Sequence, residues 1–243
     1  MDDDVERLKE MLAKSSRIVF FGGAGTSTES GIPDFRSVDG LYSQSYQYPP
    51  ETILSHTFFM ANPAEFYRFY RSKMICTGVK PNTAHLALAR LEADGKLLSV
   101  VTQNIDGLHQ LAGSKKVYEL HGSVHRNYCM SCSKPYPLQA IIDAPDDVPR
   151  CDCGGIIRPD VVLYEEGLNE ATIDGALRDI SRADCLIVGG TSLVVYPAAG
   201  LIDYYHGDRL VLINKTPTPM DRRANLVITR SIGETLGEAV YNI

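Results

Sequence analysis

The chain has 243 residues, of which 44% are hydrophobic and 22% charged, enough to bury a sizeable core in one large domain or in a main domain with an insertion. The formal net charge of −6 argues against a general nucleic-acid binder, and no apolar run approaches the roughly 20 residues of a membrane-spanning helix. The acidic start, Met1-Asp2-Asp3-Asp4, lacks the basic and apolar regions of a signal peptide, so the expected location is cytoplasmic.

Residues 2–14 are predicted to be helical, with Val5, Leu8, Met11 and Leu12 on one face and acidic residues at the start, where the helix dipole favours them. Residues 18–21 form an apolar run that reads as a buried strand. It runs into Gly22, Gly23 and Gly25, a turn against which a ligand can lie because glycine has no Cβ. Thr26, Ser27 and Thr28 are placed to cap a following helix whose free N–H groups suit a phosphate. Strand, glycine turn and helix start make half of a dinucleotide site. The spacing departs from G-x-G-x-x-G, and a plain structural turn remains the alternative at this point. Gly31-Ile32-Pro33-Asp34-Phe35-Arg36 then reads as a shaped loop offering a ring, a carboxylate and a guanidinium.

Residues 37–60 have weak periodicity and read as a loop able to close over a cofactor, then a short helix. Helices are predicted at 62–75, with Asn62 as cap and Pro63 in the first turn, and at 82–93. A strand at 97–102 ends in Gln103-Asn104-Ile105-Asp106, and a short strand at 118–120 ends in His121-Gly122. Polar residues at carboxyl ends of strands are where α/β folds place ligands. The rhythm resumes after 158 with strands at 161–164, 184–190, 209–214 and 226–229 and helices at 169–181, 197–206 and 232–241. Apolar strands alternating with helices predict an α/β fold, a Rossmann-like parallel sheet covered on both faces.

Between these parts lie Cys129-x-x-Cys132 and Cys151-x-Cys153, two knuckles that fit one tetrahedral four-thiolate zinc site. Such a site has no open position for water, so the metal is expected to be structural. Cys76 and Cys185 lack close partners and read as buried thiols. The predicted division is 1–36, 76–123 and 159–243 for the sheet domain, 37–75 for a cofactor loop and helical module, and 124–158 for the zinc ribbon. The last two make up a smaller inserted domain.

Taken together, Gly-Ala-Gly followed by Gly-Ile-Pro-Asp-Phe-Arg, Gln103-Asn104-Ile105-Asp106, His121-Gly122, the four cysteines, Arg158-Pro159, Gly190-Thr191-Ser192 and Asn214 resemble the sirtuins, the NAD-dependent protein lysine deacylases. The resemblance covers nearly the whole chain. It implies NAD as cosubstrate, one structural zinc per chain, and acetylated protein or peptide bound as an extended strand between residues 161–167 and 192–196. It implies His121 as general base and Asn104 as a catalytic residue holding ribose or water. It implies Ile105 and Asp106 against nicotinamide, and Ala24, Thr28, Phe35 and Arg36 along the diphosphate and nicotinamide ribose. Gln103 falls to the ribose, and Thr191, Ser192, Asn214 and Ile232 to the adenosine half. Nicotinamide is the implied by-product.

Three departures matter. Glu165 stands where the family usually has glycine, which costs stability if the position needs φ > 0 and otherwise adds a carboxylate near the peptide. Gly22 stands where threonine is common. Members that prefer succinyl or malonyl lysine resemble one another in a Tyr-x-x-Arg beside the acyl pocket. Here Tyr67 is followed by Tyr70, and Arg71 lies one position further on. Two other readings share the cofactor site: ADP-ribosyl transfer to protein, and a non-catalytic NAD or ADP-ribose sensor.

Overall fold

The structure is a computed structural model that describes residues 3–35, 40–41 and 46–241. Arg36 and part of the predicted cofactor loop, residues 37–39 and 42–45, lie outside the described residues. The strands are β1 (Ile18–Gly22), β2 (Leu97–Thr102), β3 (Val117–Glu119), β4 (Gly122–Cys129), β5 (Pro135–Pro137), β6 (Ile157–Val161), β7 (Cys185–Gly189), β8 (Leu210–Ile213) and β9 (Leu226–Ile228). The α-helices are α1 (Asp3–Ala13), α2 (Pro50–Ile53), α3 (His56–Ala61), α4 (Pro63–Phe69), α5 (Thr83–Ala93), α6 (Leu108–Ala112), α7 (Gln139–Ile142), α8 (Glu170–Arg182) and α9 (Ile232–Tyr241).

Six strands pair in parallel in the order β3-β2-β1-β7-β8-β9. β1 and β7 are buried at every position, as continuous apolar runs require when both faces are covered. On one face α1, α5 and α9 bring Leu8, Leu88 and Leu236 against Phe20 and Ile187. On the other, α8 and a 3₁₀ segment at Ala198–Tyr204 cover Phe21, Val101 and Val188. Sequence order reverses at β1, between β2 and β7, so the crevice at their carboxyl ends is the topological switch point where such folds bind ligands.

A second, antiparallel sheet, β5-β4-β6, packs with α2, α3 and α4 around a third core of Phe59, Phe66, Tyr67, Tyr70 and Ile157. Here lie several differences from the sequence reading. The strand expected at 161–164 is β6, which ends at Val161 and pairs antiparallel with β4, outside the main sheet. Residues 24–30 form two single 3₁₀ turns, so no α-helix N-terminus follows the glycine turn. The segment expected as α-helix at 197–206 is 3₁₀. The helix expected at 62–75 is α-helical only to Phe69 and continues as a π turn, Tyr70–Met74.

Two buried histidines brace the sheet's underside near the crevice. His85 on α5 and His109 on α6 have ring centroids 4.7 Å apart. Asn82 caps α5 by accepting from Ala84 N–H, and its Nδ2 donates to Thr26 O at 2.8 Å, so the same residue pins the glycine turn. Burial holds His85 down to about 4, against an opposing pull from Asp106. Burial, then the neighbouring His85, holds His109 down to about 3. Both are neutral in the folded protein at pH 7. Their folded values lie below the unfolded 6.5, so the stability they contribute is full above about pH 6.5 and is lost as pH falls towards 4 and 3. The loss approaches about 1.4 kcal/mol per pH unit for each histidine. Urea unfolding at pH 7, 6 and 5 checks this. His109→Leu is expected to flatten the pH slope by about one proton relative to wild type, whatever it does to stability at pH 7. An unchanged slope would show that His109 charges as readily folded as unfolded.

Candidate active site

The cleft at the switch point has a volume of about 830 Å³. Its floor is glycine packed on glycine. Gly25 N–H donates to Gly190 O at 2.8 Å, and Gly23 N–H to Gly189 O at 3.3 Å. A Cβ on Gly190, which sits at φ +60°, would lie 2.2 Å from Thr26 N. Gly23 and Gly25 line the cleft without side chains, and a ligand can approach their backbone closely.

Of the cofactor-side residues expected from sequence, Ala24, Thr28 and Phe35 line this cleft from the β1 side. Thr191, Ser192, Asn214 and Ile232 line it from the β7 and β8 side. Arg36 lies outside the described residues. Thr191 Oγ1 accepts from Gln103 Nε2 at 3.0 Å and from Leu193 N–H at 3.3 Å, so this turn is tied both to β2 and to itself. Asn214 Nδ2 donates to Thr216 O at 2.8 Å. Ile232 is 4% exposed and also belongs to the core under α9.

Gln103, Asn104, Ile105, Asp106 and His121 enter from the ends of β2 and β3. Asn104 Nδ2 donates to Ser27 Oγ at 3.0 Å, and Ser27 Oγ donates to Asp106 Oδ2 at 2.6 Å. Asp106 Oδ1 accepts from Leu108 N–H at 2.9 Å, which holds the carboxylate across the start of α6. Each carboxylate oxygen keeps a further lone pair. Ser27 is the residue sequence reasoning missed: read as a helix cap, it is instead 1% exposed and joins Asn104 to Asp106. The clue was available in its place between two glycine-turn threonines, but only the fold brings residue 27 to residue 106.

His121 Nδ1 lies 2.9 Å from Gln103 O. A carbonyl only accepts, so Nδ1 carries the proton and Nε2 keeps its lone pair. Burial lowers the imidazole's pKa, against a smaller opposing effect of that bond. The ring is thus oriented and mostly neutral at pH 7, as a general base requires. His125 is exposed, and its Nε2 contacts Asp106 O at 3.0 Å. Cys76, expected to be buried, is exposed and lines the cleft, two residues beyond the π turn.

Glu165 does occupy a left-handed conformation, φ 77°, which side chains rarely adopt. Its carboxylate accepts from Thr57 N–H at 2.9 Å and Thr57 Oγ1 at 2.7 Å, and these two bonds hold its pKa below the usual range. Arg71 bonds the carbonyls of Ile141, Asp146 and Asp147 at 2.9–3.1 Å, and neither it nor Tyr67 lines the cleft.

The Sγ atoms of Cys129, Cys132, Cys151 and Cys153 all lie within 4.8 Å of one another. The distances 3.4, 3.5 and 3.6 Å between pairs exclude disulfides and approach the roughly 3.8 Å between thiolates on one tetrahedral zinc with 2.3 Å bonds. The group fits one structural zinc, including the tight Cys151-x-Cys153 knuckle. Tyr136 on β5 donates its hydroxyl to Cys151 Sγ at 3.1 Å, which would spread the charge of that thiolate.

A bare-backbone crevice at the switch point, an oriented imidazole and a closed four-cysteine cluster define a dinucleotide-binding α/β enzyme with a structural metal ribbon. The Sir2 family profile matches residues 23–197. A protein of Clostridium acetobutylicum named NAD-dependent protein deacetylase is 60% identical over 96% of this chain and 97% of its own length. One of Cutibacterium acnes with the same name is 54% identical over 95% of each. A Sir2 variant solved with deacetylated p53 peptide and 3′-O-acetyl-ADP-ribose superposes with a TM-score of 0.91 at 40% identity, over 98% of both chains. A Sir2–p53 peptide–NAD⁺ complex gives 0.88 at 41%, over 100% of this chain and 98% of its own. The chain belongs to the Sir2 family.

Metal and fold of the small sheet should stand or fall together, since a zinc site forms only in the folded state. Cys132→Ser is expected to release one zinc per chain and lower the melting temperature. Tyr136→Phe keeps the ring and should weaken zinc retention against a chelator by roughly 10–100-fold, the usual effect of losing a hydrogen bond to a ligand. Full stability in a zinc-free preparation would refute the metal assignment.

Proposed function

We propose that the chain is an NAD-dependent protein-lysine deacetylase with His121 as general base. The observation that carries this reading is the His121 Nδ1–Gln103 carbonyl contact, which leaves Nε2 basic inside the same cleft as the bare glycine turn. NAD supplies an electrophilic ribose carbon, and the overall products are free lysine, nicotinamide and O-acetyl-ADP-ribose. Ala24 and Thr28 offer backbone and hydroxyl to the diphosphate and nicotinamide ribose, and Phe35 and Arg36 are assigned to the same stretch by the family motif. Asp106, held by Ser27 and Leu108 N–H, still has lone pairs to accept from the carboxamide, and Ile105 packs beside it. Asn104 keeps its side-chain carbonyl for a ribose hydroxyl or water. Gln103 serves the ribose, and Thr191, Ser192, Asn214 and Ile232 serve the adenosine half. His121 takes the proton from a ribose hydroxyl, so that the sugar oxygen can attack the acyl carbon.

The acetylated peptide lies as a strand between residues 161–167 and 192–196, where backbone pairing gives affinity with little sequence choice. Six cysteines without a disulfide among the described residues fit a reducing, cytoplasmic setting.

His121→Ala is expected to leave NAD binding largely intact and to cut deacetylation by at least the roughly 10²–10⁴-fold of a lost acid–base group. In the wild type, nicotinamide should appear in equal amount to deacetylated lysine, and the acid limb of kcat/KM should fall below the ordinary histidine pKa. NADH absorbance, or near-normal turnover by the variant, would overturn the assignment.

The acyl pocket is expected to take acetyl rather than succinyl. Tyr70 stands where the carboxylate-binding arginine would be, and Arg71 is engaged by three carbonyls of the ribbon module. A buried acyl carboxylate without a cation costs several kcal/mol, so kcat/KM on one peptide should favour acetyl by about 100-fold or more. A succinyl preference that vanished in Arg71→Met would show that the guanidinium reaches the pocket.

A further inference from the structure

Resting on the deacetylase reading, we infer that Glu165 is a positioning residue for the peptide substrate, acting through a side-chain latch on Thr57. The wall at residues 161–167 is fastened to the start of α3 at three successive positions. Tyr164 pairs its backbone with α2 and α3: its N–H donates to Leu54 O and its carbonyl accepts from His56 N–H, both at 3.0 Å. Glu166 accepts from Leu163 N–H at 2.9 Å, contacts His56 Nδ1 at 2.7 Å, and is paired with Arg158. Between them Glu165 turns through φ 77°, a conformation glycine reaches freely and glutamate does not. Two hydrogen bonds from Thr57, one from its N–H and one from its hydroxyl, offset that strain.

The consequence lies in the backbone. Glu165 lines the cleft, and its own N–H and C=O have no backbone partner among the described residues. An extended peptide can pair with backbone groups left open in this way. The latch holds that edge in one conformation before the peptide arrives, so less ordering is left to occur on binding. Its carboxylate is held by Thr57, and the left-handed backbone bears out the expectation that a glutamate here carries a conformational cost.

Steady-state kinetics with an acetylated peptide and NAD test this. Glu165→Ala keeps the strain and loses the latch. It should raise the peptide KM about tenfold, the order expected for losing charge-assisted hydrogen bonds, with kcat and the KM for NAD within about twofold. Glu165→Gln retains an acceptor oxygen and should stay close to wild type. Thr57→Val removes only the hydroxyl and should fall between the two. A peptide KM unchanged in Glu165→Ala overturns the latch. So does a parallel change in peptide KM, NAD KM and kcat, which would mark general damage. A wild-type protein that releases no nicotinamide with acetylated peptide overturns the deacetylase reading itself and the latch's role with it.

Discussion

The turns that follow β1 and β7 occupy neighbouring space only because neither carries a side chain where they meet. A Cβ on Gly25 would sit 2.7 Å from Gly190 Cα, and one on Gly190 would sit 2.2 Å from Thr26 N. Such distances are inside atomic contact, so the two strands could not keep their register with any larger residue there. That register in turn sets the crevice. With Gly22 opposite Gly189 and opposite Thr102, the three central strands end level. Residues leaving β2 and β7 then converge on the same opening. Gln103 N–H bonds Gly22 O, and its side chain reaches Thr191 across the mouth of β1.

The placement of the His121 imidazole depends on the same register. Gln103 uses its N–H on β1, its amide on the β7 turn and its carbonyl on His121. One residue therefore joins the glycine floor to the imidazole, and its carbonyl chooses the tautomer. The neighbouring chain Asn104–Ser27–Asp106 does the same for the other polar groups, with a buried serine as the joint. These bonds join residues 79 and 88 positions apart in sequence, so only the folded sheet brings them together.

The main sheet was legible in the sequence because β1, β7 and β8 are uninterrupted apolar runs and β2 is broken only by Ser99, and such runs need both faces covered. Gln103 to Asp106 and His121 stood out as polar residues at strand ends. Ser27 did not, because a serine after a glycine turn looks like a cap until its partner 79 residues away is known. The unexpected 3₁₀ turns at residues 24–30 have the same origin. Gly25 packs on Gly190, and Gly31 closes the second turn at φ 90°. β6 belongs to the small sheet, against expectation: Ile157 to Val161 alternates buried and half-buried, as a strand with one covered face does, and it pairs with β4 across the cysteine insertion. Glu165 is a visible misfit in the sequence, but its compensation by Thr57 required the fold.

The third core carries the remaining burden, since the cleft's outer wall is not part of the parallel sheet at all. Phe59, Phe66, Tyr67 and Tyr70 pack edge-on and stacked within α3, α4 and the π turn, and Tyr67 OH bonds Ile157 O on β6. Arg71 closes the other side on carbonyls within and beyond α7. The extra residue of a π turn rotates the downstream side chains about the helix axis, and such turns recur at functional sites. Here the rotation leaves Lys73, Met74 and Cys76 lining the cleft while Arg71 faces the ribbon. The guanidinium thus fastens the metal module to the helices that shape the pocket. The same three bonds hold the Arg71 guanidinium away from the cleft.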